Sequence, residues 1–385
     1  MRKKKILIVT GFFNPTLGYQ EKYIAKYLSV LGHDVTLLTS DSDFLKYNTK
    51  HKEADKNCRF SIVRLPVLFF LRSQAMVLCK GVKKTVHAIN PDITIVFGIT
   101  QLFPLLAAME SKKIGSLVVG VFGDNHYQHS PNRSVFVNII HKKLKYFLYR
   151  YFGRFANLIS YTNMETYHIL SDMFKNLNIL YYNLPLGFDP DEKYYDPVVR
   201  ENTRRKFNVR EDDILILTSG RPNKKERFLK VYDLHKNLLG KGLKVKTVLI
   251  GAGNRSLIED RDNNDVIVLP FIDSKKFNEL LNAADIGIWD KPTISIKEAI
   301  GTGLFVVYPR TEALPEQEYS KFGLSINDND DLVSIFENLL KDINNIRGLR
   351  EKRFIESLNI HSYESIVKQF LDYLYNVLDG NDNKK

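Results

Sequence analysis

Cysteine is nearly absent: Cys58 and Cys79 are the only two thiols, too few for a disulfide framework or a cysteine-built metal cage. Such scarcity points to a reducing, cytoplasmic setting. Long apolar runs are missing too. No window holds the roughly 20 apolar residues a membrane-crossing helix needs, so the expectation is a protein that is soluble or held only at a membrane surface. The stretch Met1-Arg2-Lys3-Lys4-Lys5-Ile6-Leu7-Ile8-Val9 imitates a secretion signal, but its apolar part stops at Asn14-Pro15, too early for one. No short-period repeat or low-complexity tract appears apart from the polar tail at 379–385, which is expected to fray. With 44% hydrophobic and 26% charged residues, the composition excludes a disordered chain. A length of 385 residues exceeds one ordinary core and implies two or three domains. The net charge of +12 suits nucleic acid, anionic lipid or a phosphorylated substrate, and equally suits plain solubility.

What is present is alternation. Residues 5–10 form a short apolar run suited to a strand buried on both faces. The loop Gly11-Phe12-Phe13-Asn14-Pro15-Thr16-Leu17-Gly18 follows, and then Tyr23, Ile24, Tyr27, Leu28 and Leu31 recur at helical spacing. Gly32 stops that helix and residues 35–39 read as the next strand, completing a β-α-β unit. Further strands are expected at 93–97, 117–121 and 158–161. A second series follows, with strands at 214–217, 245–250, 266–269, 286–289 and 304–308 and helices at 229–239 and 274–284. The domains predicted are 1–190, a linker at 191–211, and 212–361, with a last helix at 362–378. Two such β/α domains facing each other leave a cleft at the carboxyl ends of their strands, where these sheets take ligands.

Several segments carry chemistry. The strand ending at Trp289 leads to Asp290, then Lys291-Pro292-Thr293-Ile294-Ser295, where a helix opens, and Glu298. The free N–H groups of that helix suit a diphosphate, Ser295 is placed to cap it, and Asp290 and Glu298 can accept hydrogen bonds from sugar hydroxyls. Read alone, Asp290 also fits a solvated loop residue and Glu298 a surface helix residue. Ser219-Gly220-Arg221-Pro222-Asn223-Lys224-Lys225 offers cations after a strand, and by itself is also just a basic loop. Val121-Phe122-Gly123-Asp124-Asn125-His126 puts a histidine after another strand, with His129 as competitor.

In this order the segments resemble the retaining GT-B glycosyltransferases of glycosyltransferase family 4. The family's motif is two glutamates separated by seven residues; here Asp290 and Glu298 keep the spacing, with Asp in the first place and no glycine-rich stretch between them. Pro185-Leu186-Gly187-Phe188-Asp189 resembles the family's Asn-Gly-Val-Asp signature. The resemblance implies a GT-B fold, two Rossmann-like doubly wound parallel-sheet domains facing a central cleft. The N-terminal domain would be on the acceptor side, the C-terminal domain would bind the donor, and the last helix would cross back onto the first domain. It also implies a nucleoside diphosphate sugar as donor. Gly18 would let the backbone approach the donor phosphate, Arg221 and Lys225 (with Lys224 in reserve) would hold the diphosphate, and Phe271 would lie at the base. Ile294, Ser295 and Glu298 would contact the donor, and His126 and Asp290 would serve at the reacting sugar. Transfer would go to an acceptor hydroxyl with retention, by front-face attack, with no cofactor and no metal.

Two patterns are rejected. Asp41-Ser42-Asp43 imitates a metal-holding acid pair but follows the wrong strand, and Gly251-Ala252-Gly253 lacks the third glycine of a dinucleotide fingerprint. Residues 134–156 and 65–84 mix cations with aromatics, which is compatible with an anionic membrane surface and a lipid-linked or cell-surface glycan acceptor, or with aromatics packed inward. Nucleic acid is not expected as a partner. A nucleotide-sugar epimerase and a non-catalytic glycan-binding protein on the same scaffold are the alternatives.

Overall fold

The computed structural model describes residues 3–42, 49–71, 76–122, 135–220, 225–252 and 265–382. The chain divides into two compact units: Met1–Pro185 with Ile366–Lys385, and Leu186–Ser365.

The first unit runs β1 (Lys5–Val9), α1 (Gln20–Val30), β2 (Asp34–Ser40), α2 (Thr49–Lys56), β3 (Ser61–Leu65), β4 (Val67–Leu71), β5 (Met76–Cys79), α3 (Val82–Ile89), β6 (Ile93–Phe97), α4 (Leu102–Lys113), β7 (Leu117–Phe122), α5 (Val135–Gly153), β8 (Leu158–Tyr161), α6 (Met164–Met173) and β9 (Leu180–Asn183). Seven strands form one sheet in the order β3-β2-β1-β6-β7-β8-β9, all parallel. Ile6, Leu7, Ile8 and Val9 are fully buried, as a central parallel strand covered on both faces requires. β4 and β5 form a separate antiparallel hairpin. Asp41, the first acid of the rejected pair, accepts the backbone N–H of Val67 at 3.1 Å and so sets the start of that hairpin; Asp43 lies outside the described residues.

The second unit runs α7 (Pro197–Lys206), β10 (Ile214–Ser219), α8 (Lys225–Gly240), β11 (Val245–Ile250), β12 (Val266–Leu269), α9 (Ser274–Ala283), β13 (Ile286–Ile288), α10 (Ile294–Ile300), β14 (Phe305–Pro309), α11 (Glu316–Tyr319), β15 (Gly323–Ile326), α12 (Leu332–Lys341), α13 (Ile343–Gly348) and α14 (Arg350–His361). The last helix, α15 (Tyr363–Asp382), belongs to the first unit from Ile366 onward, where Phe370 and Tyr373 pack on Tyr182. Six parallel strands form the sheet of the second unit, in the order β12-β11-β10-β13-β14-β15. Its two faces carry separate apolar layers, one from α9 and α10, the other from α8 and α12.

Residues 191–211, expected as a connector, carry α7 and are held to the second unit. Asp196 caps α7 by accepting the N–H groups of Val198 and Val199, with Pro197 in the first turn. Arg200 and Arg204 then reach Asp285, fully buried just before β13, and Arg347 joins them at 2.9 Å. Burial alone would raise the Asp285 carboxyl, but the hydrogen bond from Arg347 and the charges of Arg200 and Arg204 hold it far below the usual carboxylate range. Arg200 and Arg350 also donate to the carbonyls of Ala283, Ala284 and Leu281, which close α9, so cations meet the negative end of that helix.

Candidate functional site

The strand order of the second sheet reverses at β10: β11 and β12 lie on one side, β13 to β15 on the other. Open α/β sheets take ligands outside the carboxyl ends of their strands at such a switch point. Ser219-Gly220 ends β10 there, and Trp289-Asp290 follows β13. Trp289 is fully buried, and its indole N–H donates to Ser219 Oγ at 3.0 Å, tying the two strand ends together. Oδ1 of Asp290 accepts from Nε of Arg227 on α8, and Arg227 Nη1 donates to the Ser219 carbonyl at 3.1 Å. Arg227 is buried, whereas the Asp290 side chain stays 32% exposed, so the carboxylate is fixed in direction yet open to solvent. A cavity of about 240 Å³ opens here, lined among others by Arg227, Lys230, Trp289 and Asp290.

The neighbouring strand ends continue this edge. Gly251 follows β11; its φ is +85° and a Cβ would lie 2.0 Å from the Gly220 carbonyl oxygen, so only glycine lets the two segments come this close. β12 leads through Pro270 to Phe271, whose ring is 83% exposed while Ile272 packs on the core. Four adjacent strand ends thus carry an exposed ring, two glycine backbones and a carboxylate. At about 4.8 Å per strand, the β12 and β13 ends stand roughly 14 Å apart.

After Asp290 the chain turns into α10. Thr293, not Ser295, occupies the N-cap, and its hydroxyl is buried without a hydrogen-bond partner. The expected capping role of Ser295 is therefore corrected: the helix starts at Ile294, two residues earlier than a Ser295 cap would place it, so Ser295 lies inside the first turn. Ile294, Ser295 and Glu298 are all partly exposed. Glu298 does not line the Asp290 cavity; its Oε1 lies 3.3 Å from Nζ of Lys193. Burial pushes the Glu298 carboxyl up, and Lys193 pulls it partly back. Lys193 is itself buried and donates to Ser274 Oγ at the start of α9. Sequence reasoning missed Lys193, because an isolated lysine carries no local pattern. Its one sequence cue is proximity to Asp189, whose carbonyl accepts the Lys193 N–H at 2.8 Å. Phe188 of the same segment is buried against Gly301, where a Cβ would lie 2.5 Å from its ring.

Next to Glu298, Lys297 faces inward, 3.9 Å from Glu318 and 4.3 Å above the Tyr319 ring. Burial pushes its ammonium down to about 8, against the pull of Glu318. His361 stacks on Tyr319, and burial together with the Lys297 charge pushes its imidazole well below its ordinary value.

Gly18 belongs to the first unit, where a Cβ would lie 2.7 Å from the Tyr23 hydroxyl at the start of α1. His126, His129, Arg221 and Lys224 lie outside the described residues, and Lys225 opens α8 with its side chain outside them. Among the described residues, no group of three or more His, Cys, Asp or Glu side chains could hold a metal ion, and no helix is long and apolar enough to cross a membrane.

No protein-family model matches the chain, and no curated protein matches it. Solved structures match over its whole length. Sucrose-phosphate synthase from Thermosynechococcus elongatus is 14% identical with a TM-score of 0.70, covering 98% of this chain and 100% of its own. HepE from Anabaena, in complex with UDP and glucose, is 16% identical with a TM-score of 0.66, covering 97% and 100%. A putative UDP-N-acetylglucosamine 2-epimerase from Listeria monocytogenes is 14% identical with a TM-score of 0.58, covering 98% of each chain. At such identities the likeness speaks for the fold, and with its two parallel-sheet units the chain has the GT-B fold of glycosyltransferases.

Proposed function

We propose that the chain is a retaining glycosyltransferase that binds a nucleoside diphosphate sugar along the carboxyl edge of the second sheet and passes its sugar to an acceptor hydroxyl. The observation that carries this reading is the row of strand ends from Phe271 through Gly251 and Gly220 to Asp290. Its span of roughly 14 Å suits an extended nucleotide sugar, with the base on the Phe271 ring and the sugar at Asp290. Between them a diphosphate can approach backbone that has no Cβ, and the cations that the sequence resemblance assigns to it are Arg221 and Lys225. The HepE complex holds UDP and glucose, which favours a UDP-sugar donor here as well.

In this reading the bond from the anomeric carbon to the diphosphate breaks while the acceptor oxygen bonds to the same face. The acceptor proton passes to the departing diphosphate. The protein supplies position and electrostatic stabilisation: the carboxylates fix the sugar, and the cations offset charge developing on the leaving group. His126 is assigned to the reacting sugar on the same basis. The reaction needs no metal, so a chelator is expected to leave transfer intact. A cell-surface or lipid-linked glycan is the acceptor class proposed.

The test is a melting-temperature screen against UDP, GDP and ADP sugars, followed by transfer assays with the donor that stabilises. A nucleotide-sugar stabilisation that Phe271→Ala and Asp290→Ala both leave unchanged would overturn the site. The Listeria neighbour favours one second reading, an epimerase, and a new nucleotide sugar formed from donor alone would select it.

A further inference from the structure

The cavity of about 240 Å³ at Asp290 lies away from the row of strand ends that leads to Phe271. It continues past the ends of β14 and β15, at Pro309 and Ile326, and reaches Leu332 at the start of α12, with α8 as its other wall. Its volume far exceeds what a lone hydroxyl fills, since one water takes up roughly 30 Å³ in the liquid. A larger group is needed to occupy it.

Part of the lining is apolar. Val231, Ile288, Pro309 and Ile326 are buried along it, and Leu332 packs on the same layer. Of the polar groups, Arg227 is taken up by Asp290 and the Ser219 carbonyl, and Asp330 accepts the backbone N–H of Asn327 at 2.8 Å. Two charged side chains are left over. Lys230 stands three residues beyond Arg227, on the same face of α8, and Asp328 follows β15. Both are exposed, and neither side chain makes a hydrogen bond or ion pair among the described residues. Asp290 takes Arg227 through Oδ1, so its Oδ2 stays open to a donor.

We infer, on the strength of the donor seat proposed above, that the donor sugar is an N-acetylated amino sugar whose acetamido group enters this cavity, and that Lys230 selects it. A carboxylate on the sugar does not suit the lining, where Asp290, Asp328 and Asp330 outnumber Arg227 and Lys230. A bare ammonium would give up hydration against the buried apolar wall. A neutral amide meets every feature: its methyl lies on the apolar wall, its carbonyl accepts from Lys230, and its N–H donates to Asp290. A sugar with only hydroxyls would leave the apolar wall wet and the cavity unfilled.

The experiment is calorimetric titration of the full chain with UDP, UDP-glucose, UDP-galactose, UDP-glucosamine, UDP-glucuronate, UDP-N-acetylglucosamine and UDP-N-acetylgalactosamine. One of the two acetamido sugars is expected to bind roughly tenfold or more tightly than the matching UDP-hexose. Lys230→Met should remove most of that preference, and Leu332→Trp, which fills the cavity from its rim, should abolish it. Lys236→Met, further along α8 and outside the cavity lining, should keep it. If UDP itself does not bind, the donor seat fails and the acetamido assignment fails with it. If UDP binds and the acetamido sugars gain nothing over the hexoses, the acetamido assignment alone is overturned. Equal losses for every UDP-sugar in Lys230→Met would also overturn it, by putting the lysine on the diphosphate. So would tightest binding of UDP-glucosamine or UDP-glucuronate, which would give the cavity to a charged substituent.

Discussion

Lys193, with 1% of its side chain exposed, places its ammonium 3.3 Å from the carboxylate of Glu298 and donates to Ser274 Oγ, which in turn donates to Glu192 at 2.9 Å. One buried cation thereby joins α10, which carries the second acid of the spaced pair, to the start of α9. The two acids are held by different partners, Arg227 for Asp290 and Lys193 for Glu298.

Removing Lys193 should therefore act on Glu298. Lys193→Met leaves a partly buried carboxylate unpaired, and breaking such a pair costs on the order of 3 kcal/mol. Denaturant unfolding should show this loss, and donor affinity should fall with it. The double variant Lys193→Met, Glu298→Gln should recover most of the stability, because no charge is then stranded. If Lys193→Met alone unfolds like the wild type, the lysine is not the support of Glu298.

Trp289 is the sole tryptophan and lies next to Asp290, with its indole bonded to Ser219. Tryptophan emission therefore reports on the switch point alone. Titration with UDP or a UDP-sugar is expected to shift that emission. Asp290→Ala should weaken binding of the sugar nucleotide by tenfold or more, since a lost hydrogen bond to a bound polar ligand costs about 1–3 kcal/mol. Binding of UDP itself should change far less, because Asp290 is assigned to the sugar. Equal losses for both ligands would place the carboxylate elsewhere on the donor.

Much of the frame was legible because it follows from burial. Strands such as β6 and β11, each flanked on both sides in its sheet, have the bounds their apolar runs predict. The hairpin β4–β5 escaped because its exposed leucine and phenylalanine look like an amphipathic segment rather than strands outside the main sheet. α7 escaped for the opposite reason. Its inward face is arginine, which makes sense only once Asp285, 81 to 85 residues further on, is seen beneath it. The spacing of Asp290 and Glu298 was visible, but their partners were not, since Arg227 and Lys193 stand 63 and 105 positions away. The cap of α10 was misplaced because Ser295 is the better capping residue by type, whereas the helix starts after Thr293, whose hydroxyl makes no capping hydrogen bond.

Asp285 should be among the most sensitive positions of the second unit. Asp285→Asn leaves Arg200, Arg204 and Arg347 without their shared carboxylate in a buried setting, at a cost of about 3–5 kcal/mol. Urea unfolding is expected to shift by that amount. Arg204→Met should cost less, because two cations remain on the carboxylate. A fully stable Asp285→Asn protein would show that the helix-end carbonyls alone satisfy the arginines.

Lys297 gives the chain a pH dependence that can be isolated. Its ammonium is pushed from an ordinary 10.5 down to about 8 by burial, with Glu318 opposing. Below about pH 8 both folded and unfolded chains carry the proton, and the cost of burying the charge is felt in full. Between about 8 and 10.5 the unfolded chain keeps a proton the folded chain has shed, so stability rises with pH across that window. The full rise amounts to on the order of 3 kcal/mol, at 1.36 kcal/mol per unit. Tyrosines also titrate at the upper end, Tyr308 among them, whose hydroxyl is pushed to about 12 by burial, so the useful quantity is a difference. Unfolding free energies of the wild type and of Lys297→Met, measured at half-unit steps through this window, should diverge, with the wild type gaining relative to the variant as pH increases. Parallel curves would mean that Lys297 keeps its proton in the fold, held by Glu318 and the Tyr319 ring against the cost of burial.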